Sequence, residues 1–580
     1  MRRLGLLFAV LLFALPVLGQ ERGGGALRMD VNSFSYLRHL FPQLLAVDET
    51  GRVIPATDAT GELVEDWSVE FGEFVAPDGV VRGRTLVTYT LRDDLTWADG
   101  APITAFDAFP SSIRATWGFA DGGRDTYYDG VGRLLNNLTE AIYAPYSEHE
   151  IQMLVPAETC AALEARPNFP ITSVHRTSPD ALQEIAGELD PDQSVYHRHE
   201  QALRFLNPSV SYRPRMAFDV IAPGFRLVEV GDDYSRLLVG DLAITTRFSD
   251  YADRSEEVKA FISGDLDVII NPSYTLRADL RSVPGVQIVE QVGRAWYALG
   301  FNFADPQNPR SAFDAATGEP LDQGAHPLFS DLRVRQAIRL ALNPDALGAA
   351  ATAGHYTRLA SDQLPWSWAY NPDLAIPKSD PFEARLLLDS LGWRDWDGDG
   401  IRECHDCATA EEDAVMEFSL LYSSYDSVAA ITARGIAEQL RRVGVQVSLR
   451  ETSGSVEYDA NAQDFGAYLL AVAEQQPVAA DRARLYRQSE DTVYGEGVNF
   501  ISYVNPELEA VFDRAAHAPD CDYDLRAEAL REASAILYDD IPYLPLFAVN
   551  DFYAAQGWVS GFAPRQNDPF WNIDSWVVNR

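Results

Sequence analysis

Carboxylates recur at alternate positions in the segment DWDGDGIRECHD, which begins at Asp395. Asp395, Asp397 and Asp399 match positions one, three and five of an EF-hand calcium loop. The Ile401 carbonyl falls at position seven, and Asp406 falls at position twelve, where an EF-hand carries a bidentate glutamate. A helical pattern precedes the segment, but a strand-like pattern follows it and there is no second copy. The segment therefore predicts a calcium-stiffened turn or a bare Asp-Gly turn, and not a calcium sensor.

The sequence lacks the motifs of several large enzyme classes. It has no G-x-S-x-G nucleophile elbow, no phosphate-binding P-loop and no H-E-x-x-H zinc site. The run HRHE at 197–200 is the nearest approach to another metal constellation, and a surface cluster explains it better. We therefore predict no catalytic residues, no required cofactor and no enzymatic activity.

Four cysteines allow three full pairings. Cys404 and Cys407 form a C-x-x-C, but a zinc site would need a second pair of ligands close in sequence. A local disulfide is the favoured interpretation, and free thiols are the alternative. The other two cysteines are Cys160 and Cys521.

The N-terminus and the overall charge limit where the protein works and what it binds. Residues 1–19 have the arginines, short apolar run and small residues of a secretory signal peptide, and no cysteine follows to carry a lipid anchor. We expect export to the periplasm. The formal net charge of -39 predicts that nucleic acid is not a partner, because so acidic a surface repels it.

Signals for strands and helices alternate along the chain, which predicts several mixed α/β domains. The run RTLVTYTLR at 84–92 alternates polar and apolar residues, as a half-buried strand does. Thr104 and Asp107 form a variant capping box for a helix that ends near Trp117. Asp331 is a candidate N-cap for a second helix, whose apolar residues share one face.

A series of segments along the chain carries a more specific signal. The segment LRDDLTWADGAPITAFD at 91–107 is the most distinctive. The others are LFPQLLAVDETGRVIP, LVEDWSV, SGDLDVI, LGFNF, HPLFSDLRVRQAIRLAL, IPYLPLF and WNIDSW. In this order they resemble the extracytoplasmic solute-binding proteins of peptide-type ABC transporters, the oligopeptide and dipeptide binders called family 5.

The resemblance implies an α/β fold of the periplasmic binding protein type II-like kind. Two lobes would be joined by a two-strand hinge, near 296–303 and 541–553, and the first lobe would carry an inserted domain. The implied ranges are 27–65, 208–295 and 542–580 for the first lobe, 66–207 for the inserted domain and 296–541 for the second lobe.

The resemblance also implies ligand-binding residues. In the family's peptide binders an acidic residue of the second lobe holds the α-amino group, and the stretch AEQQP puts Glu474 in that place. On the first lobe, Asn32, Ser33 and Phe34 lie in a loop whose backbone commonly pairs with an extended peptide.

Aromatic residues give further candidates. The run LPWSWAY, which contains Trp366, Trp368 and Tyr370, is flanked by prolines, and this pattern indicates a loop. Tyr127 is another candidate. Aromatic faces suit apolar peptide side chains and sugar rings alike. Packing in the core explains any one of them equally well.

Taken with the family's properties, these residues imply a monomeric binding protein. It would capture oligopeptides or dipeptides in the cleft between its lobes and deliver them to the permease subunits of an ABC importer. The alternative cargo is an oligosaccharide, and a metal chelate is a more distant alternative.

Overall fold

The computed structural model of the protein describes residues 26–30, 43–57, 62–97, 99–117, 141–164, 171, 173–174, 187–205, 225–230, 234–247, 254–452, 456–566 and 568–580. The predicted signal peptide at 1–19 lies outside these residues. The same is true of the candidates Asn32, Ser33, Phe34 and Tyr127.

The described residues form short and long strands in chain order. They are β1 (Ala26–Asp30), β2 (Ala46–Val47), β3 (Val53–Ile54), β4 (Val64–Val75), β5 (Val81–Leu91), β6 (Ile142–Pro145), β7 (Glu150–Val155), β8 (Phe225–Val230), β9 (Tyr234–Val239), β10 (Leu242–Arg247), β11 (Val268–Ile270), β12 (Gln287–Phe301), β13 (Tyr356–Arg358), β14 (Trp393–Arg394), β15 (Glu403–Cys404), β16 (Glu417–Ser423), β17 (Gln446–Thr452), β18 (Ala467–Ala473), β19 (Tyr543–Ala555), β20 (Val559–Ser560) and β21 (Val577–Val578).

Helices lie between many of these strands. They are α1 (Ala105–Trp117), α2 (Val195–Phe205), α3 (Arg254–Ser263), α4 (Arg277–Leu280), α5 (Leu332–Ala341), α6 (Pro344–Thr352), α7 (Pro381–Ser390), α8 (Ser427–Arg441), α9 (Val456–Ala460), α10 (Pro506–Ala516) and α11 (Tyr523–Asp540).

Three larger sheets organise these elements. One has the strand order β1-β10-β9-β8, and a second has the order β4-β5-β7-β6. The third, the central sheet, has the order β11-β19-β12-β18-β16-β17, and β13 also pairs with β19. In the central sheet β16 runs parallel to β17 and β18, whereas β12 runs antiparallel to its neighbours. The mixed α/β prediction is therefore confirmed.

The elements predicted from local pattern are present. The predicted strand at 84–92 lies in β5, where Thr85, Val87 and Tyr89 are buried at alternate positions. At the start of α1 the Asp107 carboxylate accepts a hydrogen bond from the Thr104 amide (2.9 Å), as a capping box requires. Each of these features depends on neighbours within a few residues.

Two strands are long enough to join the parts of the molecule. The central strands β12 and β19 include most of the two segments predicted as crossings, and they pair antiparallel with a register shift between Val292 and Trp296. Gly293 lies in this shift, where an added Cβ would approach the Val549 carbonyl oxygen to 2.5 Å. After the shift, β12 also pairs with β18, beginning with Ala295 opposite Ala473.

Helices cover both faces of the central sheet. On one face, α10 and α11 contribute Leu508 and Leu530 to a core that includes Trp296. On the other face, α5 to α8 pack against a core that includes Phe329 and Trp393. The sheet formed by β4 to β7 has a separate core. This layering places β12 and β18 in the interior, where the end of β18 at Ala473 lies opposite Ala295 of β12.

A buried histidine precedes α5. His326 Nδ1 accepts hydrogen bonds from the amides of Leu328 (3.0 Å) and Phe329 (3.2 Å), and its ring stacks on the Phe329 ring with centroids 4.6 Å apart. Burial lowers the pKa of His326 to about 3. The side chain is therefore neutral in the folded protein over the whole physiological range of pH.

This shift predicts a loss of stability in acid. In the unfolded chain a histidine has a pKa of about 6.5, so below that pH the unfolded state binds a proton that folded His326 does not bind. The folded state should lose about 1.4 kcal/mol per pH unit between about 6.5 and about 3. Between about pH 7 and about pH 5, the free energy of unfolding of the wild type should therefore fall by about 2 kcal/mol more than that of a His326→Asn variant. The asparagine retains an acceptor but does not titrate, and urea unfolding at the two pH values measures the difference. Equal losses in the two proteins would contradict the prediction.

Candidate functional site

Glu474 lies at the junction of β12 and β18. It directly follows β18, and its amide donates to the Arg294 carbonyl (3.0 Å), which continues the pairing with β12. Its carboxylate is buried and accepts a hydrogen bond from Trp296 Nε1 (2.7 Å). Arg482 pairs with both carboxylate oxygens, Nη2 with Oε1 and Nη1 with Oε2 (3.4 Å). The charge of Glu474 is therefore compensated inside the protein.

The Arg482 guanidinium is itself held on several sides. It donates to the carbonyls of Ala479 (3.1 Å) and Asp362 (3.4 Å) and lies 5.6 Å from the Trp296 ring centroid. Burial alone would lower the pKa of Arg482, but the carboxylates of Glu474 and Asp362 outweigh burial and raise it. Arg482 thus stays charged, and a ligand ammonium group would have to compete with it for Glu474. The amino-group role of Glu474 stays a prediction.

The residues after Glu474 lead from this junction to another part of the chain. Gln475 is half-buried and Gln476 is buried. Both side-chain amide atoms of Gln476 are inaccessible to solvent and have no hydrogen-bond partner. The Val478 amide then donates to the Gly51 carbonyl (2.9 Å), in the turn that precedes β3. Gln476 therefore lies between two contacts that join distant segments.

Two of the candidate tryptophans lie at the same junction. Trp366 Nε1 donates to the Gly293 carbonyl (3.3 Å), and the side chain is half-buried. Trp368 is buried in the core, and its Nε1 donates to the Val478 carbonyl (3.3 Å). The structure therefore brings Trp366 and Trp368 together with Glu474, although Trp368 has the surroundings of a packing residue.

The backbone of Tyr370 contacts a different part of the protein. Its carbonyl accepts a hydrogen bond from Arg531 Nε (3.0 Å) on α11, and its amide donates to the Ser367 carbonyl (2.9 Å). The run LPWSWAY is a loop, as predicted, and its two ends face different neighbours.

The acidic loop is a turn on the outside of the central-sheet region. Asp395, Asp397, Asp399 and Glu403 have carboxylate oxygens within 4.8 Å of one another. Within the loop the Ile401 amide donates to Asp399 Oδ1 (2.7 Å), so this carboxylate already shapes the turn. Calcium binding by the loop stays a prediction.

One of the candidate ligands of this loop lies apart from the others. Asp406 is not part of the carboxylate group, and its amide donates to Glu412 Oε2 (3.1 Å). Glu403 joins the group because β14 pairs with β15 in a register that sets Arg394 opposite Glu403. The short hairpin therefore returns the chain before position twelve is reached.

A second connection, absent from the predictions, links the sheet of β4 to β7 with α11. A disulfide joins Cys160, which follows β7, to Cys521, which precedes α11, with the Cα atoms 5.2 Å apart. Beside it, Glu164 and Arg526 form a buried bidentate ion pair with distances of 2.9 and 2.7 Å. The Arg526 guanidinium also lies 5.0 Å from the Trp368 ring centroid. These segments are held by covalent and ionic bonds across more than 350 residues of sequence.

The cysteines are all paired in the structure. The favoured local disulfide, Cys404 to Cys407, is present beside the acidic loop. The favoured local disulfide leaves Cys160 and Cys521 as the remaining pair, but the sequence gives no sign that these two residues lie close together. Gln476 and Arg482 were also missed, since neither carries a motif of its own.

Comparison with known proteins finds a family model that matches the central part of the chain. The model of the bacterial extracellular solute-binding proteins, family 5 Middle, matches residues 244–491. The oligopeptide-binding protein AppA of Bacillus subtilis (strain 168) is 25% identical over 254 residues, which cover 43% of this chain and 44% of AppA. The chain thus spans less than half of the length of that relative in the alignment.

Solved structures share the fold over nearly the whole chain. AppA from Bacillus subtilis in complex with a nonapeptide has 17% identity and a TM-score of 0.55, covering 96% of this chain and 100% of that chain. HbpA2 from Haemophilus parasuis has 16% identity and a TM-score of 0.64, covering 96% and 99%. NikZ from Campylobacter jejuni in complex with Ni(L-His) has 17% identity and a TM-score of 0.53, covering 97% and 100%. The predicted resemblance and the predicted two-lobe α/β fold are confirmed.

Proposed function

We propose that this protein, whose residues 244–491 match the model of family 5 of the bacterial extracellular solute-binding proteins, captures a peptide between two lobes and delivers it to the permease of an ABC importer. The observation that carries the proposal is the junction at the register shift of β12. There Trp366 donates to the Gly293 carbonyl and the Glu474–Arg482 pair accepts from Trp296. The segment that contains Gln476 leads from this pair to Val478, whose amide donates to Gly51. Aromatic faces and a few placed polar groups are typical of a small-ligand site.

The comparisons support a peptide as the first choice of cargo. AppA was solved with a nonapeptide, whereas NikZ was solved with a nickel complex of histidine. Among the described residues, the groups that could hold a metal ion are His405 with Glu412 and Asp413, and the carboxylates of the acidic loop. Both groups belong to the outer loop and not to the junction, which makes a metal chelate the less favoured cargo.

Export of the chain is part of the same proposal. Family 5 proteins work outside the cytoplasm, and residues 1–19 have the pattern of a signal peptide. In the part of the chain that the structure describes, every helix is too short or too polar to cross a membrane. We propose a periplasmic monomer that contributes binding and no catalytic step.

Tryptophan fluorescence tests the cargo directly. The protein would be titrated with a pool of short peptides and, separately, with cello-oligosaccharides and manno-oligosaccharides. We expect saturable quenching or enhancement with peptides and none with the sugars. Saturable binding of a sugar alone would replace the peptide by the alternative cargo, and a response to neither class would overturn the proposed function.

Trp366 should report and support this binding. Replacing Trp366 by leucine should weaken peptide binding by about tenfold, because one half-buried aromatic contact of about 1.4 kcal/mol is lost. The matched control is Trp396→Leu, since Trp396 is an exposed tryptophan on the acidic loop. Equal weakening in both variants would show that the effect does not come from the junction.

A further inference from the structure

The buried side chain of Gln476 lacks hydrogen-bond partners. It is 5% exposed, and neither its Oε1 nor its Nε2 has a partner. An amide offers two donor hydrogens and an acceptor oxygen, and leaving such groups buried and unpaired is unfavourable. A native protein tolerates such a buried amide where an ordered water or a bound molecule completes its hydrogen bonds. The amide of Gln476 is therefore suited to meet a bound molecule.

The position of Gln476 agrees with this role. Two residues before it, the Glu474 amide is fixed to Arg294 on β12, and two residues after it, the Val478 amide is fixed to Gly51. The Gly51 backbone approaches so closely that an added Cβ would lie 2.4 Å from Val478 Cγ2. Gln476 thus lies in the short segment between the end of β18 and the contact with the turn before β3. This is the junction where the proposed function places the cargo.

The charge of the surroundings decides which group of the cargo Gln476 can meet. The carboxylate next to it in sequence, Glu474, already pairs with Arg482 and accepts from Trp296 Nε1. No other carboxylate stands in the segment 473–480. Gln476 therefore offers a neutral amide to an incoming ligand, and the nearby Asp362 carboxylate already accepts a hydrogen bond from Tyr486 Oη (3.0 Å).

We propose that Gln476 contacts the cargo and recognises an uncharged peptide group through its donor and acceptor. Binding at this point then does not require a free α-ammonium group. This inference rests on the proposed function. It predicts that the protein recognises an internal peptide segment, or one whose amino terminus is blocked. A peptide whose amino terminus is acetylated should be as good a ligand as the unmodified peptide.

The test compares two pools of one set of random octapeptides, with free and with acetylated amino termini. Binding would be measured by native mass spectrometry and tryptophan fluorescence on the full mature chain. We expect the wild type to bind both pools with affinities within about threefold of each other. Gln476→Leu should weaken both by about tenfold, as the loss of a hydrogen-bonded group predicts, whereas the neighbouring control Gln475→Leu should change either by less than about twofold.

Thermal unfolding without any peptide gives a second readout. Gln476→Leu should raise the unfolding midpoint, because an apolar side chain replaces an unpaired buried amide, and Gln475→Leu should not. A gain in stability together with a loss of binding is the pattern expected of a binding residue, and a purely structural residue would not produce it.

Four outcomes would overturn the inference, and they differ in what they leave in place. Unchanged peptide binding by Gln476→Leu, or a lower unfolding midpoint of that variant, would remove Gln476 from the site while leaving the proposed function in place. A preference of about tenfold or more for free amino termini, abolished by Glu474→Gln, would assign recognition to the carboxylate instead. Failure of the wild type to bind either pool would overturn the proposed function and the inference with it.

Discussion

Replacing Arg482 by methionine should lower the free energy of unfolding by about 3–5 kcal/mol, because the change leaves the Glu474 carboxylate buried without a counter-charge. Both side chains are at most 2% exposed, so water cannot take over the role of the guanidinium. The variant also removes the donors to the carbonyls of Ala479 and Asp362. Urea unfolding followed by circular dichroism and by tryptophan fluorescence measures the loss.

An exposed ion pair gives the matched control. Arg442 pairs with Glu438 on α8, and both side chains are more than 60% exposed, so Arg442→Met should cost less than about 1 kcal/mol. The double variant Glu474→Gln with Arg482→Met should recover most of the stability lost by Arg482→Met alone, since it removes both charges. Similar losses for Arg482→Met and Arg442→Met would show that burial of the pair is not what makes it important.

The same variant separates the two interpretations of Glu474. With Arg482 absent, the carboxylate becomes available to a cationic partner, and the protein should acquire a preference for peptides with free amino termini. The wild type should lack this preference, because Arg482 already pairs with Glu474. The acidic residue that the resemblance predicts at position 474 therefore has an internal partner in the structure.

Local pattern predicted the elements well because the forces that form them act over a few residues. The strand at 84–92 and the caps at Thr104 and Asp331 follow from alternation and from side-chain oxygens near free amides. The series of family segments then predicted the fold, because their order along the chain is itself specific. In the described residues the two longest strands, β12 and β19, also include most of the predicted crossings.

The candidate site was harder to predict because its decisive contacts are not local. Glu474 was selected by resemblance, but nothing in the sequence marks Arg482 as its partner, since the intervening segment has no regular period. The position of Glu403, and not Asp406, beside the other carboxylates depends on a hairpin register of two residues. Gln476 is notable only for what it fails to contact, and that can be recognised only after the surrounding chain has folded.

The bridge between Cys160 and Cys521 should have the second large effect. Replacing both cysteines by alanine should lower the free energy of unfolding by about 2–4 kcal/mol, because the unfolded chain would regain the freedom of a loop of 361 residues. The matched control is Cys404→Ala with Cys407→Ala, which opens a loop with a sequence separation of only 3 and should cost less. Equal losses for the two double variants would contradict the dependence on loop length.

The bridge also has a mechanical consequence in the proposed two-lobe motion. Together with the buried pair of Glu164 and Arg526, it fixes the start of α11 to the sheet of β4 to β7. The resemblance assigns that sheet to the inserted domain of the first lobe and α11 to the second lobe, so we expect this link to restrain the rotation of one lobe against the other. Hydrogen exchange should then show protected amides at 523–526 in the wild type and faster exchange there in the Cys160→Ala, Cys521→Ala variant. Unchanged exchange would mean that the ion pair and the packing of Arg526 against Trp368 hold the contact without the disulfide.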